Sequence, residues 1–400
     1  MPLAIQIREK ASLLYLLQEL NHSAYNYDIK NIPSIKDVWK WLSPFFIESL
    51  TNKMIDASLN EPTLMIDIQM TYLLEEEECK ALFDDYTRIV RDINLKSKTS
   101  SVSKKVLDSL LNTIEDDIFK RIYSIPPEKP VKFINIANIT YKQSSIFIGG
   151  RYIKLSRRLC QTPWLIEGEF KLKNSVQELV CSRIIESTQS DSSKFLSSGR
   201  EDVDVRMLGT GRPFAVELVN PKVTKLSQNQ LSDLYYSINN SVDVIQIQEN
   251  LKILKKSNLR RLKEGEEMKI KTYRALCISE RKIDVNVTKK LECIRNLIII
   301  QNTPLRVLHR RALSPRKRII HEIRGRHLTE SEIKNFRKKL YHIPENLTFL
   351  LLDIKSQAGT YIKEFIHGDF GRSFPNLCTI LGHKIDIIAL DVMDIDLEWP

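Results

Sequence analysis

Three prolines within five positions, Pro126-Pro127-Glu128-Lys129-Pro130, set the strongest limit on how this chain can fold. Proline has no amide proton and pushes the preceding residue out of the helical region, so neither a helix nor a central strand can run through the cluster. The charge balance changes sign at the same place. Residues 1–130 hold 16 Lys/Arg and 20 Asp/Glu, whereas the other 270 hold 45 and 30. A boundary near residue 130 follows, separating an accessory domain over 1–130 from a larger domain over 131–400. With 42% hydrophobic residues in 400, both parts can bury a core. The basic excess lies wholly in the larger part, where a polyanionic partner is to be sought.

Residues 3–20 and 34–59 read as helices, the second opened by Ser34 with Asp37 three positions on, a capping-box arrangement. Alternation of apolar and polar residues makes 63–72 a half-buried strand. Glu75–Glu78 begins a solvated helix, Lys96–Lys105 is a loop or linker, and 103–123 returns to helical spacing. Beyond the boundary, strands are expected at 132–136, 145–149, 213–219, 242–247, 267–277, 296–301, 317–323, 347–355 and 385–397. Helices are expected at 173–187, 226–239, 329–340 and 360–367, and Ser187–Ser198 reads as a serine-rich loop. Strands and helices alternate without a βαβ rhythm. The pattern implies an α+β fold on a mixed, largely antiparallel sheet, beside a smaller N-terminal α/β domain.

The six cysteines are dispersed, with no CxxC and no Cys/His spacing suited to zinc. Such thiols fit a reducing compartment, and the expected location is intracellular, in the nucleus, the cytoplasm or both. No apolar run approaches the roughly 18–20 residues that span a bilayer, so no membrane partner is expected.

Ser198–Pro213 packs three carboxylates (Glu201, Asp202, Asp204), three arginines (Arg200, Arg206, Arg212) and three glycines into sixteen positions. Carboxylates among guanidinium groups stay ionised at neutral pH. The segment is either a solvated turn with local ion pairs or a poised anion flanked by cations for a polyanionic substrate. Two further segments are rich in cations: Gly150–Arg158, which interleaves Tyr152 with Arg151, Lys154, Arg157 and Arg158, and Arg306–Arg318, with six Arg/Lys and His309. Each is an ordinary basic loop or a track for a phosphate backbone. Lys269–Cys277 reads as a strand that places Tyr273 on the same face as Lys269 and Lys271. In Gln357–Phe365, Gly359 permits a turn into a helix whose first turn holds Lys363, with Glu364 as its possible surface partner.

The blocks GREDVDVRMLG, KTYRALC, TPLRVLHRR and AGTYIKEFIHGDFGR, in order over residues 140–400, resemble the tRNA pseudouridine synthase family of archaea and eukaryotes that carries a THUMP-type N-terminal domain. Gly199-Arg200-Glu201-Asp202 is similar to the wider GR-x-D signature of these synthases, and Gly359–Lys363 to their GTYI-R/K element. The resemblance implies that Asp202 is the catalytic carboxylate, acting at the sugar as nucleophile or base. It implies that Lys363 pairs with it, aided by Arg200, that Tyr273 stacks on the target uracil and is placed to help remove its C5 proton, and that Tyr361 contacts substrate. Arg151, Arg157, Arg158, Arg306, Arg310 and Arg311 would then hold the RNA while a uridine is extruded. The implied substrate is tRNA, at adjacent uridines of the T loop. Isomerising uridine imports no group and oxidises nothing, so no cofactor is expected. Eukaryotic members often bind zinc through paired cysteines, but residues 1–130 have only Cys79, so a reduced THUMP-like domain without zinc is expected. The protein is expected to be a monomer.

Two rivals remain at this point. A noncatalytic RNA-binding protein or RNA chaperone on the same fold would share the basic loops without needing Asp202. A metal-dependent nuclease would gather Glu201, Asp202, Asp204 and Glu217 around magnesium.

Overall fold

The computed structural model of the protein describes residues 1–21, 32–55, 63–84, 109, 111–339, 344 and 346–400. The loop or linker expected at Lys96–Lys105 lies outside them. The chain divides into two compact units, Met1–Ser144 and Ser145–Pro400. The division falls after the proline cluster because strand β2 (Ile134–Gln143) pairs antiparallel with β1 (Leu64–Tyr72) and so joins the first unit.

In that first unit the helix Leu3–Asn21 buries Leu3, Ala4, Ile7, Ala11 and Leu14, which share a core with Leu82 and Phe119. These positions repeat at three and four residues, the spacing of one helix face. The helix opened by Ser34 is capped as its sequence implies, the Asp37 amide donating to Ser34 Oγ (3.1 Å). It ends at Thr51 rather than 59. Asn52 there turns left-handed at φ 51, and its amide donates to the Glu48 carbonyl, a local stop that helical periodicity does not reveal.

Beside a separate two-stranded sheet of β4 (Leu165–Ile166) and β5 (Glu169–Phe170), the second unit is built on an eleven-stranded sheet. Its strands are β3 (Ile146–Lys154), β6 (Ser192–Ser197), β7 (Arg206–Val219), β8 (Ile245–Ile247), β9 (Lys252–Leu254), β10 (Ile270–Ser279), β11 (Arg295–Gln301), β12 (Arg316–His327), β13 (Thr348–Gln357), β14 (Ser373–Phe374) and β15 (Ile385–Ile395). The main path runs β14-β11-β12-β13-β10-β15-β7-β3-β8, with β6 on β7 and β9 on β3. Pairing is antiparallel throughout except at β15–β7, where two halves of the sheet meet in parallel. At that join Gly209 has φ +59, and a Cβ on it would lie 1.7 Å from the Met393 carbonyl oxygen. Only glycine lets β7 pass β15 so closely.

Helices Val176–Thr188 and Gln228–Ser241 bury Val180, Ile184, Leu231, Leu234 and Ile238 in the same core as Ile148, Phe214 and Val216 of β3 and β7. Against β15 and β14, the short helix Ile362–His367 adds Ile362, Phe365 and Ile366. The expected serine-rich loop is partly strand: β6 pairs its Ser192–Ser197 with Val219–Phe214. Backbone pairing with a long neighbour, and half-burial of Phe195 and Leu196, outweigh the loop preference of serine. The short helix Leu377–Leu381 lies outside the expected ones, as do two longer helices, Asn258–Met268 and Val285–Glu292. Both longer helices are highly polar, so their apolar spacing is faint.

Candidate active site

The dense charged segment leaves β6 at Ser197 and enters β7 at Arg206, so Ser198–Val205 forms a loop where two paired strands end. Gly199 opens it at φ +81, and a Cβ there would lie 2.9 Å from Lys271 Nζ and 3.3 Å from Arg212 Nη1. The loop is held from below by side chains of β3 and β7. Buried Arg212 donates to the Ser198 carbonyl (2.7 Å) and, through Nε, to Glu201 (2.7 Å). Tyr152 donates its hydroxyl to Glu201 at 3.0 Å and accepts from Gln161 at 2.8 Å. The Lys154 ammonium donates to the carbonyls of Leu159 (2.8 Å), Asp202 (3.1 Å) and Val203 (2.9 Å). Burial lowers the Lys154 pKa to about 8, against the pull of Glu201 and Asp204. Burial also opposes the charge on Arg212, but Glu201 together with Tyr152 and Tyr273 raises that pKa.

Glu201 is thereby fixed into the floor, and its neighbour Asp202 remains accessible, with a third of its side chain exposed. Two cations face Asp202. Arg306, from the 3₁₀ helix Leu305–Arg310, donates Nη1 to its Oδ2 at 2.8 Å, and Lys363 Nζ lies 3.6 Å from the same oxygen. Lys363 is shared, since it also donates to both oxygens of Asp204 at 2.8 and 2.7 Å. Burial alone would raise the Asp204 pKa, but the Lys363 ammonium holds it below the usual carboxylate range. Tyr273, half-buried on β10, has its phenol pushed up to about 12 by burial, opposed by Arg212 and assisted by the charge of Asp202. It is therefore a neutral ring at physiological pH.

The turn before Lys363 is clamped from β11. The Tyr361 amide donates to Gln301 Oε1 and Gln301 Nε2 returns a bond to the Tyr361 carbonyl, both at 2.9 Å. The Tyr361 hydroxyl accepts from Arg316 at 3.4 Å.

The structure thus gathers Asp202, Lys363 and Arg306 directly and keeps Tyr273 within electrostatic reach. Arg200, Arg158 and Arg311 are exposed, and the side chain of Arg310 lies outside those described. Three of the arginines expected to hold RNA are otherwise engaged. Arg151 is 6% exposed and donates to the carbonyls of Thr210, Gly211, Ile395 and Leu397, so it ties strands together. Arg157 binds the Leu390 and Asp204 carbonyls and the Asp391 carboxylate. Arg306 bridges Asp202 and Glu364. The four-carboxylate alternative does not assemble either: Glu201 is paired inside with Arg212, and Glu217 pairs with Lys194 at 3.3 Å.

Several residues carrying this geometry escape a motif reading. Lys154 and Tyr152 stand two apart on one face of β3, and Arg212 precedes the buried Phe214 on β7. A cation placed at inward strand positions was the available signal. Glu364, expected as a surface partner of Lys363, is instead 2% exposed and bound to Arg306.

Comparison with known proteins gives the class first. The family model described as Pus10, C-terminal, matches residues 147–396, and that described as eukaryotic Pus10, N-terminal, matches residues 1–141. Human tRNA pseudouridine synthase Pus10 is 37% identical over 402 residues, spanning all of this chain and 71% of that protein. The tRNA pseudouridine synthase Pus10 of Thermofilum pendens is 32% identical over 253 residues, 63% of this chain and 52% of that protein. A solved structure described as a Cbf5-Nop10-Gar1 complex overlaps 60% of this chain and 47% of its own at 16% identity, with a TM-score of 0.31. The sequence matches place the chain among proteins named as pseudouridine synthases. Within that class it belongs to the Pus10 family.

Proposed function

We propose that the chain is a tRNA pseudouridine synthase in which Asp202 is the catalytic carboxylate. In this isomerisation the N1–C1′ bond of uridine breaks, the uracil turns, and C5 bonds to C1′ while the C5 proton is lost and N1 gains one. Atoms and charge balance without a redox partner. The observation carrying the reading is the contrast within one loop. Glu201 is locked in the floor, while Asp202 is accessible and faced by Arg306 at 2.8 Å and Lys363 at 3.6 Å. Two cations so placed can stabilise charge that develops at the ribose.

Tyr273, neutral at physiological pH, offers the everted uracil a stacking face. Extrusion costs a few kcal/mol, offset by backbone contacts. The cations suited to those contacts are ones without an internal carboxylate among the described residues: Arg158, Arg200 and Arg311, joined by Arg316 and Arg318 of β12. Strand register places Arg316 and Arg318 opposite Gln301 and Ile299, on the face that carries the Tyr361 turn. We assign the target to adjacent uridines of the T loop. The test is carbodiimide mapping of an unmodified tRNA transcript incubated with the purified protein and with Asp202→Asn. Pseudouridine in the T loop with the first and none with the second is expected. Undiminished product with Asp202→Asn removes the assignment.

A further inference from the structure

Glu364 stands out among the charged residues the reaction does not require. It lies in the helix Ile362–His367, is 2% exposed, and its Oε2 is buried with no hydrogen-bond partner. A buried carboxylate so poorly satisfied is tolerated only if a cation compensates it. That cation is Arg306, whose Nε donates to Glu364 Oε1 at 2.6 Å. Burial disfavours the Arg306 charge, but Glu364 and Asp202 together raise its pKa. A guanidinium is planar, so anchoring Nε fixes the direction of Nη1. Here Nη1 donates to Asp202 Oδ2 at 2.8 Å, the only hydrogen bond the Asp202 carboxylate receives among the described residues.

The backbone bearing Arg306 is held at both ends. The Leu305 amide donates to Asp369 (3.1 Å), Arg372 Nε donates to the Thr303 carbonyl (3.0 Å), and Thr303 Oγ1 donates to the Ala312 carbonyl (2.6 Å). Lys363 cannot replace Arg306 in this task, because its short contacts are to Asp204 and it stands 3.6 Å from Asp202.

We propose that Glu364 and Arg306 are positioning residues acting in series: Glu364 orients the guanidinium, and the guanidinium orients the Asp202 carboxylate toward the ribose. This rests on Asp202 being the catalytic group. It also separates Arg306 from the arginines that hold phosphates, since both sides of its charge already have carboxylates.

The test measures single-turnover rates and tRNA affinity for the wild-type protein, Arg306→Ala, Glu364→Gln and the double variant. Misplacing a reacting group by an ångström costs roughly 10²-fold in rate. Each single variant should therefore lose about 10²-fold in rate while Kd for tRNA stays within about twofold. The double variant should be no slower than Arg306→Ala, because residues in series are not additive. Millimolar guanidinium should restore part of the rate of Arg306→Ala but none of that of Glu364→Gln, whose own arginine still fills the place. If Glu364→Gln does not fold, as judged by circular dichroism and lost tRNA binding, Arg306→Ala and its rescue decide. A wild-type rate in either folded variant, or weaker tRNA binding at an unchanged rate in Arg306→Ala, overturns the proposal. A wild-type protein that forms no pseudouridine would instead remove the functional reading beneath it.

Discussion

Lys363 donates to both oxygens of Asp204, at 2.7 and 2.8 Å, and stands 3.6 Å from Asp202. One ammonium is therefore shared by two carboxylates two positions apart, and only one of them is also bound by Arg306. Asp204 is 63% exposed and lies on the outer side of the loop. The proposed division of labour makes the two residues separable. Asp202→Asn should lower the rate by more than about 10³-fold, as expected when a nucleophile or base is removed. Asp204→Asn should stay within about tenfold of wild type, since Lys363 can then move onto Asp202. The reverse order in single-turnover assays would transfer the catalytic role to Asp204.

The floor of the loop gives a stability prediction. Arg212 and Glu201 form a salt bridge of 2.7 Å in which both side chains are at most 2% exposed. Removing one partner of such a pair leaves an uncompensated buried charge and costs about 3–5 kcal/mol. In a unit of this size that is a fall in Tm of about 10 °C. Arg212→Met should therefore melt well below wild type in a calorimetric scan, and Arg212→Met with Glu201→Leu should recover much of the loss. Equal melting of wild type and Arg212→Met would mean that the pair does not brace the loop.

How much of this was readable in advance depends on the kind of interaction. The helix at Leu3–Asn21 was legible because burial on one face leaves a period of three to four residues. The strand at Leu64–Tyr72 was legible because its apolar residues alternate with polar ones, although only Tyr72 at its end is buried. The β6 strand was not, because its serines carry no such signal and its pairing partner is fixed only when β7 folds beside it. At the site, the motif Gly199–Asp202 marks the loop, and the Gly359–Lys363 element marks its partner. Nothing local says that Glu201 turns down, since that choice is made by Arg212 eleven positions on and by Tyr152 from another strand. Arg151 misled for a related reason. A cation in a basic run looks solvated until the strands that supply its carbonyl acceptors are brought together.

Lys154 predicts a pH signature. Its ammonium serves three carbonyls, and a neutral amine has only two protons to give. Loss of a proton near pH 8 should therefore loosen the backbone at Asp202 and Val203 and lower the rate. Its folded pKa of about 8 lies below the ordinary lysine value of 10.5, so between these values the unfolded chain binds the extra proton. The Lys154 contribution to stability accordingly rises with pH through this window and is least favourable below it. Comparison with Lys154→Met isolates the effect: the stability difference, wild type minus variant, should shift in favour of wild type from pH 8 to 10 while the wild-type rate declines. A flat difference would show that Lys154 does not titrate there.

The arginines can be sorted by salt dependence. Each phosphate contact contributes about 0.7–0.9 to the slope of log affinity against log salt. Arg158, Arg311 and Arg318 have no carboxylate partner among the described residues, so replacing any one by Ala should weaken tRNA binding and reduce that slope by nearly one unit. Arg151 is equally basic by sequence, but its guanidinium is enclosed by the carbonyls of Thr210, Gly211, Ile395 and Leu397. Arg151→Ala should leave the slope unchanged and lower thermal stability instead, because it strands buried acceptors at the β7–β15 join. Filter binding at several salt concentrations, with melting curves on the same samples, separates the two groups. A reduced slope for Arg151→Ala would mean that its side chain leaves the sheet to meet RNA.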